Sequence, residues 1–240
     1  KNIFYKIFGN ENIIKDIIPK SLPFSSYELI HTKDHVKGND SALSAARAKD
    51  TSMWQAIDSV KKKDSDIVIS AGNTGALFVI AKLNLKMIEK IDKPALAGLW
   101  PNKNGINIVL DLGASIDCSE KNLFDFSIMG SALFKALFPN DQPKVAILNI
   151  GSEEIKGHEI IKKAYELLNT NTNLNFKFNG YIEGNEIMHG VSNVIITDGF
   201  TGNVALKTAE GTANFITSEL KIAMTNSFFG KLSSIINIKN

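Results

Sequence analysis

The sequence predicts an α/β fold with a mainly parallel sheet that helices cover on both faces. Short apolar runs rich in β-branched residues alternate with helical apolar patterns along almost the whole chain, and this alternation is typical of such folds. Two of the runs, 95–100 and 106–112, are separated by only five residues. That hairpin-like spacing adds an antiparallel strand, so the predicted sheet is mixed.

The periodicity of the apolar residues places the elements in order. Strands are predicted at 4–8, 27–31, 66–70, 95–100, 106–112, 144–150, 175–179 and 193–197. Helices are predicted at 11–18, 52–62, 74–89, 123–137, 157–168 and 204–224. The chain has 240 residues, 44% of them hydrophobic, and no repeat or linker divides it. We therefore expect a single domain over residues 1–240.

The composition argues against several classes of function. A net charge of +2 and a pI of about 8.5 are too mild to indicate nucleic-acid binding. Cys118 is the only cysteine, which excludes an intrachain disulfide and agrees with a reducing cytoplasm. No apolar run approaches the roughly 20 residues of a membrane span. The sequence lacks four catalytic or nucleotide-binding motifs: HExxH, GxSxG, GxxxxGK(S/T) and GxGxxG. Their absence argues, in the same order, against zinc hydrolases, α/β-hydrolases, P-loop ATPases and ordinary dinucleotide folds.

Residues 66–77 predict a strand, a glycine-bearing turn and a helix in direct succession. Gly72 and Gly75 permit positive φ and close backbone approach, and Asn73 or Thr74 can cap the helix. The free N–H groups in the first turn of such a helix favour a phosphate or a carboxylate. Together with Ser70, these residues form the first candidate substrate-binding segment, although the same glycines also serve ordinary turns.

A second segment of this type spans residues 193–207. An apolar strand leads into Asp198, Gly199, Thr201 and Gly202, and a long helical pattern follows. In an open parallel sheet, ligands bind beyond the carboxyl ends of the strands. The two glycine-bearing turns could therefore line one crevice, although the sequence does not prove that they meet.

A third loop, at 149–158, contains a lysine in an unusual place. Lys156 precedes a predicted helix start, where electrostatics does not favour a cation unless an anion binds there. A phosphate facing the lysine would explain this placement. The alternative is an exposed lysine paired with Glu153 or Glu154.

A fourth loop begins with Asp111, which ends a buried strand and lies two residues before Gly113. Its carboxylate could hold the loop by accepting backbone N–H bonds, or it could orient a catalytic group or a metal. Nothing in the spacing of Asp111, Asp117 and Asp198 demands a metal ion, so we assign none.

The tail at 226–239 mixes large apolar and small polar side chains. The apolar ones are Phe228, Phe229, Leu232, Ile235, Ile236 and Ile238. This pattern predicts an amphipathic helix that touches a membrane or forms a dimer, or else one that packs on its own domain.

Six stretches of the chain follow one another in an order that matches a known family. They are KDTSM at 49–53, SAGNTGAL at 70–77, KPALA at 93–97, LDLGA at 110–114, LNIGSEEIKG at 148–157 and TDGFTGNVALKT at 197–208. With them the chain resembles the PlsX-type phosphate acyltransferases, the bacterial acyl-acyl carrier protein:phosphate acyltransferases. The series spans nearly the whole chain and is far more specific than any single glycine loop.

The resemblance implies a three-layer α/β/α sandwich of the isocitrate and isopropylmalate dehydrogenase type, a homodimer and no cofactor. It implies transfer of a long-chain acyl group from acyl-acyl carrier protein to inorganic phosphate, giving acyl phosphate for phospholipid synthesis. Lys156 and Asn203 are then the catalytic residues. The tail is expected to touch the membrane, which places the protein in the bacterial cytoplasm at the inner membrane face, beside a downstream glycerol-phosphate acyltransferase.

The chain also departs from the family pattern. The family's first strand and its C-terminal segment have no counterpart, and the chain begins with Lys1, so we expect a fragment or an incompletely represented chain. His158 stands where the family commonly has Asn, and Cys118 matches no family cysteine, so neither is expected to be essential. Two alternatives stay open: a phosphotransacetylase-like enzyme that uses acyl-coenzyme A, and an inactive membrane-associated scaffold.

The expected mechanism is attack of phosphate on a thioester carbonyl without a covalent enzyme intermediate. Lys156 would hold the phosphate, and the Asn203 amide would donate to the developing oxyanion. The backbone from Gly72 to Gly75 would orient one of the two substrates.

Overall fold

The computed structural model describes residues 3–226. Contacts within the chain divide it into two compact units, residues 1–90 and 91–240. Compact units of this kind are not by themselves independent folding domains, so the single domain over 1–240 stays a prediction. Apart from Asn226, the predicted tail helix at 226–239 lies outside the described residues.

Within residues 3–90, the first unit contains a small parallel sheet, four α-helices and a short 3-10 helix, Phe24–Ser26. Strands β1 (Tyr5–Gly9) and β2 (Tyr27–His31) pair along their whole length. The helices are α1 (Glu11–Ile17), α2 (Ala42–Arg47), α3 (Ser52–Lys61) and α4 (Thr74–Leu85). A core of Ala45, Met53, Ile57, Ala76 and Ile80 joins α2, α3 and α4.

The second unit is built on a five-stranded sheet. Its elements are β3 (Gly98–Asn102), β4 (Gly105–Leu110), α5 (Glu120–Leu137), β5 (Lys144–Leu148), α6 (Glu159–Thr170), β6 (Lys177–Ile182), β7 (Val194–Ile196) and α7 (Gly199–Thr225). The strand order is β3-β4-β7-β5-β6. All neighbours are parallel except β3 and β4, which form an antiparallel hairpin. The predicted mixed, mostly parallel sheet is therefore confirmed.

Alternation of side chains along the central strands produces three layers. Ile108, Ile147 and Ile196 face a core that contains Leu123 and Phe126 of α5 and residues of α6. Their neighbours in sequence, including Val109, Ala146 and Ile195, face a second core that includes α7. Because successive side chains of a strand point to opposite faces, burial on both faces explains the continuous apolar runs of these strands.

The bounds of several predicted elements differ from the structure, and two elements differ most. The strand predicted at 66–70 is not formed, and Ile67 and Ile69 are 74% and 85% exposed. Among the described residues no strand pairs with this segment, so its β-branched residues lack the cross-strand packing on which strand preference depends. Helix α7 begins at Gly199 rather than at 204, because the Asp198 cap makes a first helical turn out of a glycine-rich segment.

Within residues 3–226, no helix is both long enough and apolar enough to cross a membrane.

Candidate functional site

The loops after three neighbouring strands meet at one edge of the five-stranded sheet. Asp111 follows β4, Thr197 and Asp198 follow β7, and Asn149 follows β5. These strands are parallel and adjacent in the sheet, so their carboxyl ends lie side by side. This edge is where open α/β sheets bind ligands, and it holds all the predicted site residues of the second unit.

Asp111 organises the loop after β4. Its side chain is fully buried. Oδ1 accepts the N–H groups of Leu96, Gly113 and Ala114, and Oδ2 accepts that of Ser115, at 2.8–3.1 Å. Of the two roles open to Asp111 on the sequence, the geometry supports the one in which its carboxylate holds the loop. Direct contact of Asp111 with a substrate stays a prediction.

The first turn of α7 packs closely against that loop. The Asp198 carboxylate caps the helix by accepting the N–H and hydroxyl of Thr201, at 2.8 and 2.7 Å. The Gly199 N–H donates to the Ser115 carbonyl at 2.9 Å. A Cβ atom on Gly202 would overlap the Asp111 carbonyl oxygen. Gly199 and Gly202 thus permit a close approach of the helix to the loop after β4.

Asn203 lies in the same first turns of α7 and faces the loop after β4. A Cβ atom on Gly113 would lie 3.4–3.5 Å from the side chain of Asn203. Gly113 has a φ of +128°, a conformation that favours glycine. The Asn203 side chain is exposed and has no hydrogen-bond partner among residues 3–226. Its amide N–H groups are therefore available to a ligand.

Lys156 lies in the loop after β5 and pairs with Glu153. The distance from its Nζ to Glu153 Oε1 is 2.9 Å, and both side chains are about half exposed. The Lys156 ammonium lowers the pKa of Glu153 through a hydrogen bond and its charge. This ion pair matches the alternative interpretation of Lys156 from the sequence.

A groove of about 410 Å³ opens at this edge of the sheet. Its walls come from the loop after β4 and from the first turns of α5, α6 and α7; they are Ile116, Asp117, Cys118, Leu123, His158, Ile160, Ile161, Asp198, Phe200 and Thr201. Most of this lining is apolar. Burial is the main cause that raises the pKa of the Cys118 thiol above its usual range, so the thiol is protonated and a poor nucleophile at neutral pH.

The glycine-bearing turn of the first unit is also capped. Asn73 Oδ1 accepts the Ala76 N–H at 3.0 Å, and its Nδ2 donates to the carbonyls of Lys37, Gly38 and Asp40 at 3.0–3.4 Å. The Gly72 N–H donates to Ser70 Oγ at 3.2 Å. Asn73 is thus the cap, and its side chain is used within the fold. Substrate binding by Ser70, Gly72, Asn73, Thr74 and Gly75 stays a prediction.

Sequence reasoning missed one residue of the candidate site. Asn149 directly follows β5, is only 7% exposed, and donates two hydrogen bonds within the Lys156 loop. A polar side chain that directly follows an apolar strand, two residues before a glycine, was the available signal. Within residues 3–226, no group of three His, Cys, Asp or Glu side chains is arranged to hold a metal ion.

Comparisons with known proteins identify the family. The model of the family described as "Fatty acid synthesis protein" matches residues 2–240. A phosphate acyltransferase of Pelagibacter ubique is 68% identical over 240 residues, which cover 100% of this chain and 72% of that protein. A phosphate acyltransferase of Maricaulis maris is 40% identical over 232 residues, 96% of this chain and 66% of that protein.

The chain therefore belongs to the fatty acid synthesis protein family, and its predicted resemblance to the phosphate acyltransferases is confirmed. The predicted enzyme class, a phosphate acyltransferase of fatty acid and phospholipid synthesis, is confirmed with it.

Two solved structures resemble the fold at low sequence identity. The EutD phosphotransacetylase from Staphylococcus aureus aligns with a TM-score of 0.61 and 14% identity, over 88% of this chain and 74% of that one. A phosphotransacetylase from Streptococcus pyogenes aligns with a TM-score of 0.62 and 15% identity, over 86% and 73%. They support the three-layer α/β/α sandwich. The relation to the isocitrate and isopropylmalate dehydrogenases stays a prediction.

Proposed function

We propose that this chain transfers a long-chain acyl group from acyl-acyl carrier protein to inorganic phosphate, with Lys156 and Asn203 at the reaction centre. A phosphate oxygen forms a bond to the thioester carbonyl carbon, the C–S bond then breaks, and the carrier-protein thiolate takes up a proton. The products are acyl phosphate and free carrier protein. The observation that carries the proposal is the meeting of the β4, β7 and β5 loops at one sheet edge.

Lys156 is suited to bind phosphate. Its pair with Glu153 is formed between two half-exposed side chains, and such pairs contribute little to stability because water screens them. A phosphate dianion can therefore replace Glu153 as the partner of the ammonium group at small cost. Near the start of α6, the positive end of the helix dipole adds to the attraction for the anion.

Asn203 is suited to stabilise the charge that develops on the thioester oxygen. Its amide is exposed, lacks a partner among the described residues, and stands beside Gly113 on a helix turn fixed by the Asp198 cap. A donor held in place before the reaction needs no reorganisation as charge develops, which is the basis of oxyanion stabilisation. Gly199, Thr201 and Gly202, which are predicted to contact the substrate, lie in the same first turn of α7.

The apolar groove beside this turn suits the acyl part of the substrate. Leu123 and Ile161 contribute to its wall, and Phe200 and Thr201 bring the wall to the first turn of α7, two residues before Asn203. Burial of an apolar chain against such side chains is favourable in proportion to the area removed from water. The thioester would then lie at the end of the groove next to the proposed donors.

The proposed partners extend beyond the substrates. We infer a homodimer, peripheral contact with the inner face of the bacterial cytoplasmic membrane, and a downstream glycerol-phosphate acyltransferase that takes the product. The second half of α7 supports such contacts, because Phe215, Ile216 and Leu220 are more than half exposed, and exposed apolar side chains that cluster mark interaction surfaces.

The test of this function uses the full-length protein with palmitoyl-acyl carrier protein and inorganic phosphate. Acyl phosphate is trapped with hydroxylamine, beside a parallel reaction with palmitoyl-coenzyme A. We expect trapping that depends on phosphate and occurs with the carrier-protein donor. Product from coenzyme A alone would favour a phosphotransacetylase-like enzyme, and no product from folded protein would favour an inactive scaffold.

A further inference from the structure

The buried side chain of Asn149 ties together the two ends of the Lys156 loop. Its Nδ2 donates to the Gly151 carbonyl at 3.0 Å and to the Lys156 carbonyl at 3.1 Å. One amide group thus closes the loop from Gly151 to Lys156 into a ring. Asn149 is itself fixed to the sheet, because its N–H donates to the Ile182 carbonyl of β6 at 2.9 Å.

Two glycines of the loop fit closely around this ring. Gly157 has a φ of +93°, and a Cβ atom there would overlap Asn149 Oδ1. At Gly151, a Cβ atom would lie 2.5 Å from Lys156 Cδ and 3.2 Å from its Nζ. The Lys156 side chain therefore lies back across Gly151, and both its backbone and its side chain are placed by the ring.

The ring is maintained at a cost in stability. Oδ1 of Asn149 is buried and has no hydrogen-bond partner within residues 3–226, and a buried polar atom without a partner is unfavourable. A buried polar group of this kind calls for an explanation other than packing. The two hydrogen bonds from Nδ2 to the Gly151 and Lys156 carbonyls supply that explanation.

We propose that Asn149 is a positioning residue for the phosphate site: it holds the Lys156 ammonium where phosphate binds and does not itself touch the reacting atoms. This inference rests on the proposed function, since it assigns Lys156 to phosphate. It predicts that loss of the Nδ2 hydrogen bonds weakens phosphate binding and leaves turnover at saturating phosphate largely intact.

The test compares Asn149→Ser with Asn107→Ser in the full-length enzyme. Serine carries no charge and is too short to reach both carbonyls. Asn107 is a matched control, because it is also buried in the same unit and its Nδ2 also donates to a carbonyl, that of Ile187, at 2.6 Å. Thermal unfolding measures the stability of both variants, and initial rates at varied phosphate give KM and kcat.

For Asn149→Ser we expect the KM for phosphate to rise about tenfold or more, with kcat within about threefold of wild type. Asn107→Ser should lose stability without a change in that KM. An unchanged KM in Asn149→Ser, a fall in kcat alone, or an equal rise in KM in Asn107→Ser would overturn the inference. If Asn149→Ser does not fold, the uncharged Asn149→Gln, whose longer side chain moves the amide away from the Gly151 and Lys156 carbonyls, carries the same test. A wild-type enzyme without phosphate-dependent activity would instead refute the proposed function.

Discussion

At the scale of single residues, the candidate site consists of side chains that act on a ligand and side chains that hold them. Asn203 is exposed and Lys156 is half exposed and paired with Glu153, whereas Asp111 and Asn149 are buried and satisfy backbone groups. The motifs in the sequence indicated the first pair through family resemblance. The holding role of Asn149 depends on where the chain folds back on itself, which spacing alone does not specify.

Replacement of Lys156 by methionine should raise the KM for phosphate, because the change removes the positive charge and keeps the length of the side chain. We expect an increase of about tenfold or more, measured by initial rates at varied phosphate. Lys207 offers a matched control, because it forms a similar exposed ion pair with Glu210 at 2.8 Å. An unchanged KM in Lys156→Met, or an equal rise in Lys207→Met, would remove Lys156 from the phosphate site.

Replacement of Cys118 by serine should leave activity within about twofold of wild type, since a protonated thiol is not a nucleophile. Because burial raises the pKa of the thiol, less thiolate is present at any given pH than in an unperturbed cysteine. Iodoacetamide should therefore alkylate Cys118 more slowly than free cysteine at pH 8, with the rate increasing as pH rises toward the raised pKa. Loss of activity in folded Cys118→Ser, together with fast alkylation, would contradict this account.

At the scale of elements, most of the fold could be predicted because apolar periodicity and local capping agree. The central strands of the larger sheet are buried on both faces, and their runs were recognised to within about two residues. The same apolar pattern predicted a strand at 66–70. A strand also needs a neighbouring strand to pair with, and the local sequence does not show whether one is present. The sequence did not predict the start of α7, because glycine is a poor helix former. The close packing that requires glycine at 199 and 202 depends on the tertiary structure.

Gly202 and Gly211 provide a paired test of this packing within α7. Gly202→Ala should destabilise the protein by at least about 2 kcal/mol, since the new methyl group would overlap the Asp111 carbonyl. A Cβ atom on Gly211 would meet nothing within 4 Å, so Gly211→Ala should stabilise the helix by about 0.5–1 kcal/mol. Chemical denaturation measures both changes, and equal effects of the two substitutions would contradict the close approach.

At the scale of the whole molecule, the parallel sheet brings residues distant in sequence to one edge. Asp111, Asn149 and Asp198 follow neighbouring strands in the order β4, β5 and β7, although β7 lies between the other two in the sheet. The sequence predicted that ligands bind at strand ends, but it could not specify which ends are adjacent, because strand order depends on the crossover connections. The chain spans 72% and 66% of the length of two relatives that it matches.

The most direct test of the proposed site is the rate of acyl phosphate formation by Asn203→Ala at saturating phosphate and palmitoyl-acyl carrier protein. Loss of one oxyanion donor typically lowers turnover by about 10² to 10³, and we expect a fall in that range. Asn214→Ala, an exposed asparagine on the same helix, should keep a rate close to wild type. A near-wild-type rate for folded Asn203→Ala would contradict the account, because Asn203 could then not be the oxyanion donor of the proposed site.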